Sequence, residues 1–374
     1  MRADLVGAAR LRAILDLFAA VTSLSINYHK STLVPIHVDA ATVAGVVTAI
    51  QCAVGAFPQT YLGLPLSIDK LKLSDFAPMI AKVDRYLAGW RSRLLSPSGR
   101  LVLINAVLDA ILSYAMSALR LPPKVVAALD SLRRSFLWNV ADRASGAQCL
   151  VAWSMVCRTK AEGGLGVRDI SAQNDCLLLK LLHRVHAAAP ARWARWLCAD
   201  HHGRSLLGAG TTADRGPHWA DLLALLPLYR GLTKVLSLLR DCPGTPAPDG
   251  HRAVFCGAPR GAFSSRSAYT MLRFGGVSSP AAGFLWSSTA PSRVKFFAWL
   301  LSLTRIHTRD VLLRKTIVDA QGAGCPCCPA SLETANHLFF ECEVAARFWR
   351  CIGVDPRAGT TRGLHLFDVR PAMG

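Results

Sequence analysis

The sequence has no stretch of 18 or more uncharged apolar residues; its nearest approach, Leu101 to Leu119, is broken by Asn105 and Asp109. A membrane-spanning helix is therefore not expected. No apolar core follows the first basic residue at the N-terminus, so a secretory leader is not expected either. Most cysteines stand singly, as free thiols of a reducing compartment do, which points to an intracellular protein of the cytoplasm or nucleus. The run Gly163-Gly164-Leu165-Gly166 lacks the Lys-Ser/Thr ending of a phosphate-binding loop and the strand-glycine-helix layout of a dinucleotide site, and so reads as a turn. Acid is scarce as well, with 24 Asp and Glu against 43 Lys and Arg, a formal charge of +19. Such an excess favours a polyanionic partner, RNA or DNA, over a small-molecule substrate or a membrane. Most of the cations are arginine, whose planar fork suits phosphate; a coding bias toward Arg and Ala would give the same excess with no partner.

At 374 residues, 52% of them hydrophobic, the chain is long enough for two or three domains with their own cores. The pattern is mainly α. Ala8 to Val21 places Leu11, Ile14, Leu15 and Phe18 at helical spacing, Leu24 to Asn27 reads as a short strand, and Phe57 to Leu66 as an extended segment held between prolines. Ser74 is positioned to cap a helix with Phe76, Met79, Ile80, Val83, Leu87 and Trp90 on one face, and Ser98 to cap the next, Leu101 to Leu119. A third helix, Lys124 to Trp138, turns Val125, Leu129, Leu132 and Phe136 inward and Arg133 and Arg134 outward. Nine basic residues face three acidic ones between Arg85 and Arg143, which suits a nucleic-acid backbone as well as a solvated helix surface. Ser171 is expected to cap a helix that buries Leu178, Leu181, Leu182 and Val185, and Trp219 to Leu239 reads as one more helical stretch. Cys242 to Pro246 and Pro248 to Gly250 mark a linker. Beyond it, Phe296, Phe297, Trp299 and Leu300 interleave with Arg293, Lys295, Arg305, Arg309, Arg314 and Lys315, a pattern shared by core helices with basic flanks and by surfaces that stack bases.

Four of the 12 cysteines fall between residues 325 and 342, in the company of a histidine. Cys325 and Cys328 are two residues apart, a reach that lets two thiolates of one turn point at one ion; His337 follows after eight residues and Cys342 after four more. Three thiolates and an imidazole make a tetrahedral zinc set. A redox Cys-x-x-Cys pair and plain apolar packing are the competing readings, and Cys327 competes with Cys328 for the shell. Thr334 is placed to cap a helix whose first turns carry His337 and later Cys342.

The words of the chain, taken in order, resemble a known family. Leu24-Ser25-Ile26-Asn27 with Lys30-Ser31, Tyr61-Leu62-Gly63-Leu64-Pro65, Leu95-Ser96 with Gly99-Arg100, Phe136-Leu137-Trp138, and the 163–166 glycines with Asn174 resemble the reverse transcriptase of plant non-LTR (LINE-type) retrotransposons. Phe263 to Tyr269, Trp286, Val294 to Trp299, and Cys325, Cys328, His337, Cys342 and Trp349 look like its zinc-binding domain. The resemblance implies a palm remnant at 1–66, a helical thumb-like region at 67–198, a linker and irregular region at 199–262, a small helical zinc-binding domain at 263–352 and a tail at 353–374. It also implies that the family's aromatic-Ala-Asp-Asp hairpin belongs upstream of Leu5 to Ser31. No two acidic residues are adjacent in this sequence, and two-metal nucleotidyl transfer needs clustered carboxylates. Asp4 and Asp16 do not replace them. Thr22-Ser23-Leu24 replaces the family's usual Ser-Gly-Leu, and Cys327 is an extra thiol. The expectation is a truncated reverse transcriptase fragment, not an enzyme, that binds zinc through Cys325, Cys328, His337 and Cys342 and nucleic acid through Arg91, Arg93, Arg100, Arg133, Arg134, Arg293 and Lys295. The alternative is a zinc-stabilised protein-interaction module with the stripe near Trp299 as its contact.

Overall fold

The computed structural model describes residues 3–90, 95–138, 149–186, 216–237, 251–255, 263–273, 280–329 and 331–353. Among the described residues helices dominate, accompanied by three two-stranded sheets, in agreement with the mainly-α reading. The linker at 242–250, the tail beyond Gly353 and the side chain of Trp90 lie outside the described residues. The chain divides into two compact units, Met1–Pro78 with Thr211–Asp221, and Met79–Gly210 with Leu222–Gly374.

In the first unit, helix α1 (Leu5–Thr22) starts where the Asp4 carboxylate accepts the Gly7 amide and ends at Ser23 in the left-handed conformation (φ 59°). A second helix, α2 (Ala40–Ile50), is fixed by Asp39, whose carboxylate accepts from the Thr42 amide (2.9 Å) and hydroxyl (2.7 Å). Ala8, Val46 and Ile50 form the core, with Leu11, Tyr28 and Leu33 against it. The foreseen α1 face is only partly covered, since Ile14 and Phe18 remain 62% and 50% exposed. Leu24 to Asn27 is not a strand. The Asn27 side chain accepts from the Lys30 amide (3.1 Å) and closes a 3₁₀ turn, Tyr28–Lys30, a local bond that competes with sheet pairing. Strand β1 (Thr32–Leu33) follows and pairs in parallel with β2 (Ala53–Val54). The proline-bounded segment forms an antiparallel hairpin, β3 (Gln59–Tyr61) and β4 (Leu64–Leu66). Leu62 and Gly63 both have positive φ (50° and 80°), as a two-residue hairpin turn requires.

The second unit takes in most of α3 (Ala77–Trp90), which buries Val83 and Leu87. Asp75 rather than Ser74 starts the preceding 3₁₀ turn, accepting from the Lys72 amide (2.7 Å). Helix α4 (Pro97–Leu103) begins at Ser96, not Ser98: Ser96 Oγ accepts from the Gly99 amide (3.3 Å) and Pro97 presets the first helical φ. One π-helical turn, Ile104–Leu108, joins it to α5 (Asp109–Met116). This run is apolar and long enough in composition to cross a membrane, yet Ile104, Leu108 and Leu112 are fully buried and Asp109 is buried beside two guanidinium groups. Helix α6 (Pro123–Trp138) turns Val125, Leu129 and Phe136 inward as expected, and α7 (Trp153–Val156) leads to the glycine turn. There Gly163 and Gly166 take φ of 83° and 71°. Gly164 leaves no room for a side chain, because a Cβ would lie 2.2 Å from the Arg158 carbonyl oxygen. Asp169, not Ser171, caps α8 (Ile170–His186), accepting from the Ala172 amide (3.0 Å). Buried Asn174 on α8 donates to the Met116 (2.8 Å) and Leu119 (2.9 Å) carbonyls and accepts from the Leu121 amide (2.7 Å), which fixes the α5–α6 corner with both side-chain N–H groups used.

Where one helix was expected at 219–239, α9 (Pro217–Leu223) and α10 (Leu226–Leu232) are followed by strand β5 (Thr233–Ser237), paired antiparallel with β6 (His251–Phe255). The C-terminal helices are α11 (Ser265–Arg273), α12 (Pro280–Ser287), α13 (Ser292–Ser302), α14 (Arg309–Arg314) and α15 (Glu343–Cys351). They belong to the same compact unit as α4 to α8. The Asp169 amide donates to Tyr269 Oη (2.9 Å), Arg273 pairs with Asp169 (3.2 Å), and Trp299 Nε1 donates to the Gly163 carbonyl (2.7 Å).

Candidate metal centre

The Cys325 turn is built from short backbone bonds. The Cys325 amide donates to the Ser331 carbonyl (2.8 Å), Ser331 donates back to Cys328 (2.8 Å), and Cys328 donates to Cys325 (3.2 Å). Thr334 caps the next turn as expected, its Oγ1 accepting from the His337 amide (3.0 Å). His337 to Glu341 then wind as one π-helical turn, which ends when the Cys342 amide donates to the His337 carbonyl (2.7 Å). Cys342 is therefore not in the helix of His337 but at the N-cap of α15.

These turns bring Cys325, Cys328, His337 and Cys342 together, with one ligand atom from each lying within 4.8 Å of the others. The Cys342 sulfur is 4.0 Å from that of Cys325 and 3.9 Å from that of Cys328. Zn–S bonds of about 2.3 Å in a tetrahedron put sulfurs ~3.8 Å apart, so the thiols already stand at ligand spacing. Their separation is far longer than a disulfide bond of ~2.05 Å. Cys325, His337 and Cys342 are buried, and His337 Nε2 is shielded from solvent without a hydrogen-bond partner among the described residues. A buried imidazole nitrogen without a partner costs free energy; a cation among three thiolates would supply one. Cys327 is exposed and outside the cluster, whereas Cys328 is one of its four members. Burial acts to raise the Cys342 thiol, but the amides of Ala345 and Val344 at the start of α15, with the Cys328 and Cys325 thiols, outweigh it and hold Cys342 below the ordinary value. A helix N-terminus favours a thiolate in this way.

A second layer ties the metal turn to α14. The Arg309 amide donates to Glu333 Oε1 (3.1 Å), Arg309 Nη1 donates to the Gly324 carbonyl (2.8 Å), and the Asp310 amide donates to the Glu333 carbonyl (3.2 Å). Phe340 stacks on Trp349 at 6.1 Å, and Trp349 Nε1 donates to the Phe339 carbonyl (2.6 Å).

The cations singled out from sequence are scattered. Arg91 and Arg93 lie outside the described residues. Arg100 is only 7% exposed, and burial lowers its pKa. Arg133 is fully buried, contrary to its outward placement: Nη1 pairs with Asp130 (2.9 Å), Nη2 pairs with Asp109 (3.5 Å) and donates to the Arg168 carbonyl (2.8 Å). Neither residue presents its charge to an outside polyanion; counting residues along a helix does not reveal that buried Asp109 and half-buried Asp130 wait for Arg133. Burial pushes Asp109 up to about 6, against the pull of Arg133 and Arg168, and raises Asp130 as well. Arg134 is half-buried, Lys295 is half-buried with Nζ donating to the Trp286 carbonyl (3.3 Å), and Arg293 is exposed. Within the stripe of the alternative reading, Trp299 is 1% exposed while Phe297 is 44% exposed.

Comparison with known proteins agrees with this site. Residues 263–349 match the family described as zinc-binding in reverse transcriptase. The chain is also similar to an Arabidopsis thaliana protein described as a "Putative ribonuclease H protein", 27% identical over 362 aligned positions that cover 76% of this chain and 57% of that protein. The chain thus spans little more than half the length of that relative. Together the findings give the C-terminal helices a likeness to a reverse-transcriptase zinc-binding domain, with a clustered Cys3His set inside the matched residues.

Proposed function

We propose that this chain is part of a non-LTR retrotransposon reverse transcriptase whose C-terminal helices are held by one structural zinc ion and whose role is to bind RNA or DNA without polymerase catalysis by its own residues. The observation that carries the metal reading is the convergence of four ligand atoms within 4.8 Å, one of them from His337, whose buried Nε2 has no hydrogen-bond partner among the described residues. Cys325, Cys328, His337 and Cys342 would hold the ion. Bound zinc supplies a crosslink between the 325–328 turn and the N-terminus of α15, not a reactive centre. With the charge of +19 and the reverse-transcriptase likeness, a nucleic-acid backbone is the partner that fits. No adjacent acidic pair occurs in the sequence to hold the two ions of nucleotidyl transfer.

The purified full chain should carry one zinc and lose helicity on chelation, since structural zinc contributes roughly 10 kcal/mol or more to folding. Cys327→Ser should retain the metal, and the His337→Ala, Cys342→Ser pair should lose it. Full zinc content in that pair would remove the assignment. Binding to a labelled single strand should weaken as salt rises, while primer extension with Mg²⁺ or Mn²⁺ should equal a buffer blank. A protein partner is favoured by one feature, the exposure of Phe297, Val344 and Phe348 at 44%, 56% and 58%; it calls for a salt slope near zero.

A further inference from the structure

A hollow of about 350 Å³ opens beside the C-terminal ends of α13 and α14, lined by Arg305, His307, Arg314, Lys315, Thr304 and Cys149 and, among the described residues, by no carboxylate. Its volume lies at the small end of the ~300–1,000 Å³ typical of ligand sites. The rim is made by two similar helix endings. The Arg305 amide donates to the Leu300 carbonyl (2.8 Å) and Thr304 to Leu301 (2.9 Å), and likewise Ile317 donates to Leu312 (2.9 Å) and Thr316 to Leu313 (2.9 Å). Each ending needs a left-handed residue, yet the sequence puts threonine there, at φ 54° and 56°. A β-branched residue in that conformation is strained, and such strain concentrates where side chains are held for binding.

Cations near helix C-termini are favourable in themselves, and this accounts for Arg314, which is already paired with Asp310 (2.8 Å). It does not account for Arg305, His307 and Lys315 meeting Arg314 around one hollow. Among the described residues none of those three side chains has a carboxylate within ion-pair distance. A further cation stands close by: burial pushes the Cys149 thiol up, and the charge of Arg134 on α6 pulls against it. Concavities lined with one sign of charge concentrate ions of the other.

We propose that this hollow is a binding site for a backbone phosphate of a nucleic-acid strand, with Arg305 and Lys315 as its principal ligands. This rests on the nucleic-acid reading above and gives it an address. The Arg309 and Asp310 bonds to the metal turn hold α14, and hence one wall of the hollow, in place.

The test is a salt titration of the zinc-loaded full chain against a labelled single-stranded RNA. Arg305→Gln with Lys315→Gln should lower affinity at least tenfold and, by removing two phosphate contacts at about 0.7 each, flatten the log-log salt slope by ~1.4. A charge-matched control, Arg266→Gln with Lys180→Gln, both at exposed positions, should change the slope little. Equal losses from the two pairs would overturn the site while leaving general nucleic-acid affinity standing. A flat slope for the parent protein would overturn both. Orthophosphate added at constant ionic strength separates a strand site from a free-anion site: phosphate binding that depends on Arg305 and Lys315, with RNA affinity untouched by their removal, would also overturn the proposal. Unchanged melting and zinc content in the variants exclude misfolding as the cause.

Discussion

Replacing Arg133 by methionine separates a structural arginine from a nucleic-acid contact. The side chain is fully buried, with Asp130 at 2.9 Å, Asp109 at 3.5 Å and the Arg168 carbonyl at 2.8 Å. Methionine fills much of the same space, so cavity formation is minor and the loss is electrostatic. Removing one partner of a buried pair costs about 3–5 kcal/mol, roughly a fifth or more of the ~5–15 kcal/mol that stabilises a typical domain. The cost should depend on pH. Asp109 titrates in the fold at about 6, above its ordinary 3.8, because of burial, and Asp130 is raised for the same reason. A carboxyl raised in the fold holds its proton longer than in the unfolded chain, so its contribution to stability falls as pH rises through that window and is least above it. Without Arg133 only the half-exposed Arg168 opposes that rise at Asp109 and only Trp153 opposes it at Asp130, and the window extends upward. Urea unfolding followed by circular dichroism should show the full loss at pH 8 and a smaller one at pH 5.5, with an unchanged m-value. Adding Asp109→Asn and Asp130→Asn should recover part of the pH 8 loss, since no carboxylate is then left stranded. A variant within 1 kcal/mol of the parent at pH 8, but weakened in RNA binding, would refute the buried-network account and return Arg133 to the surface.

Two further substitutions probe how the C-terminal helices sit on the rest of their unit. Trp299→Ala removes a side chain that is 1% exposed and donates to the Gly163 carbonyl; a loss of about 3–5 kcal/mol is expected, measured by denaturant unfolding with zinc present, and a loss under 1 kcal/mol would show that the docking is dispensable. Gly164→Ala puts a Cβ 2.2 Å from the Arg158 carbonyl oxygen, a backbone neighbour that cannot swing away, so ~1–3 kcal/mol of overpacking is expected; an unchanged melting temperature would mean that the turn relaxes freely.

Periodicity made the long helices legible, because α1, α3, α6 and α8 each repeat apolar residues at helical spacing. The metal set was legible for a different reason: three thiols and an imidazole at short spacing have few other uses, and the ligands converge as the spacing implies. Starts of helices were misplaced wherever two capping residues competed, as Ser96 with Ser98 and Asp169 with Ser171. Position relative to the first apolar residue does not rank them, whereas Pro97 and the fixed exit of the glycine turn do. Helix α2 went unread although Asp39 and Thr42 form its cap, because the stretch that follows is apolar on several sides and shows little periodicity.

The arginines expose the deeper limit. Arg133 and Arg134 are adjacent and chemically identical in sequence, yet one is sealed against two carboxylates and the other is half-buried beside Cys149. What separates them is the partner across the fold, Asp109 on α5, 24 residues away, which local spacing does not encode. The same reasoning applies in reverse to Arg305 and Lys315. Sequence shows them only as basic flanks of an aromatic stripe, and they become a phosphate-sized address only once two threonine-ended helices bring them to one hollow. Net charge can therefore indicate that a polyanion is the fitting partner, while the residues that meet it are decided by which cations the fold leaves without a carboxylate of their own.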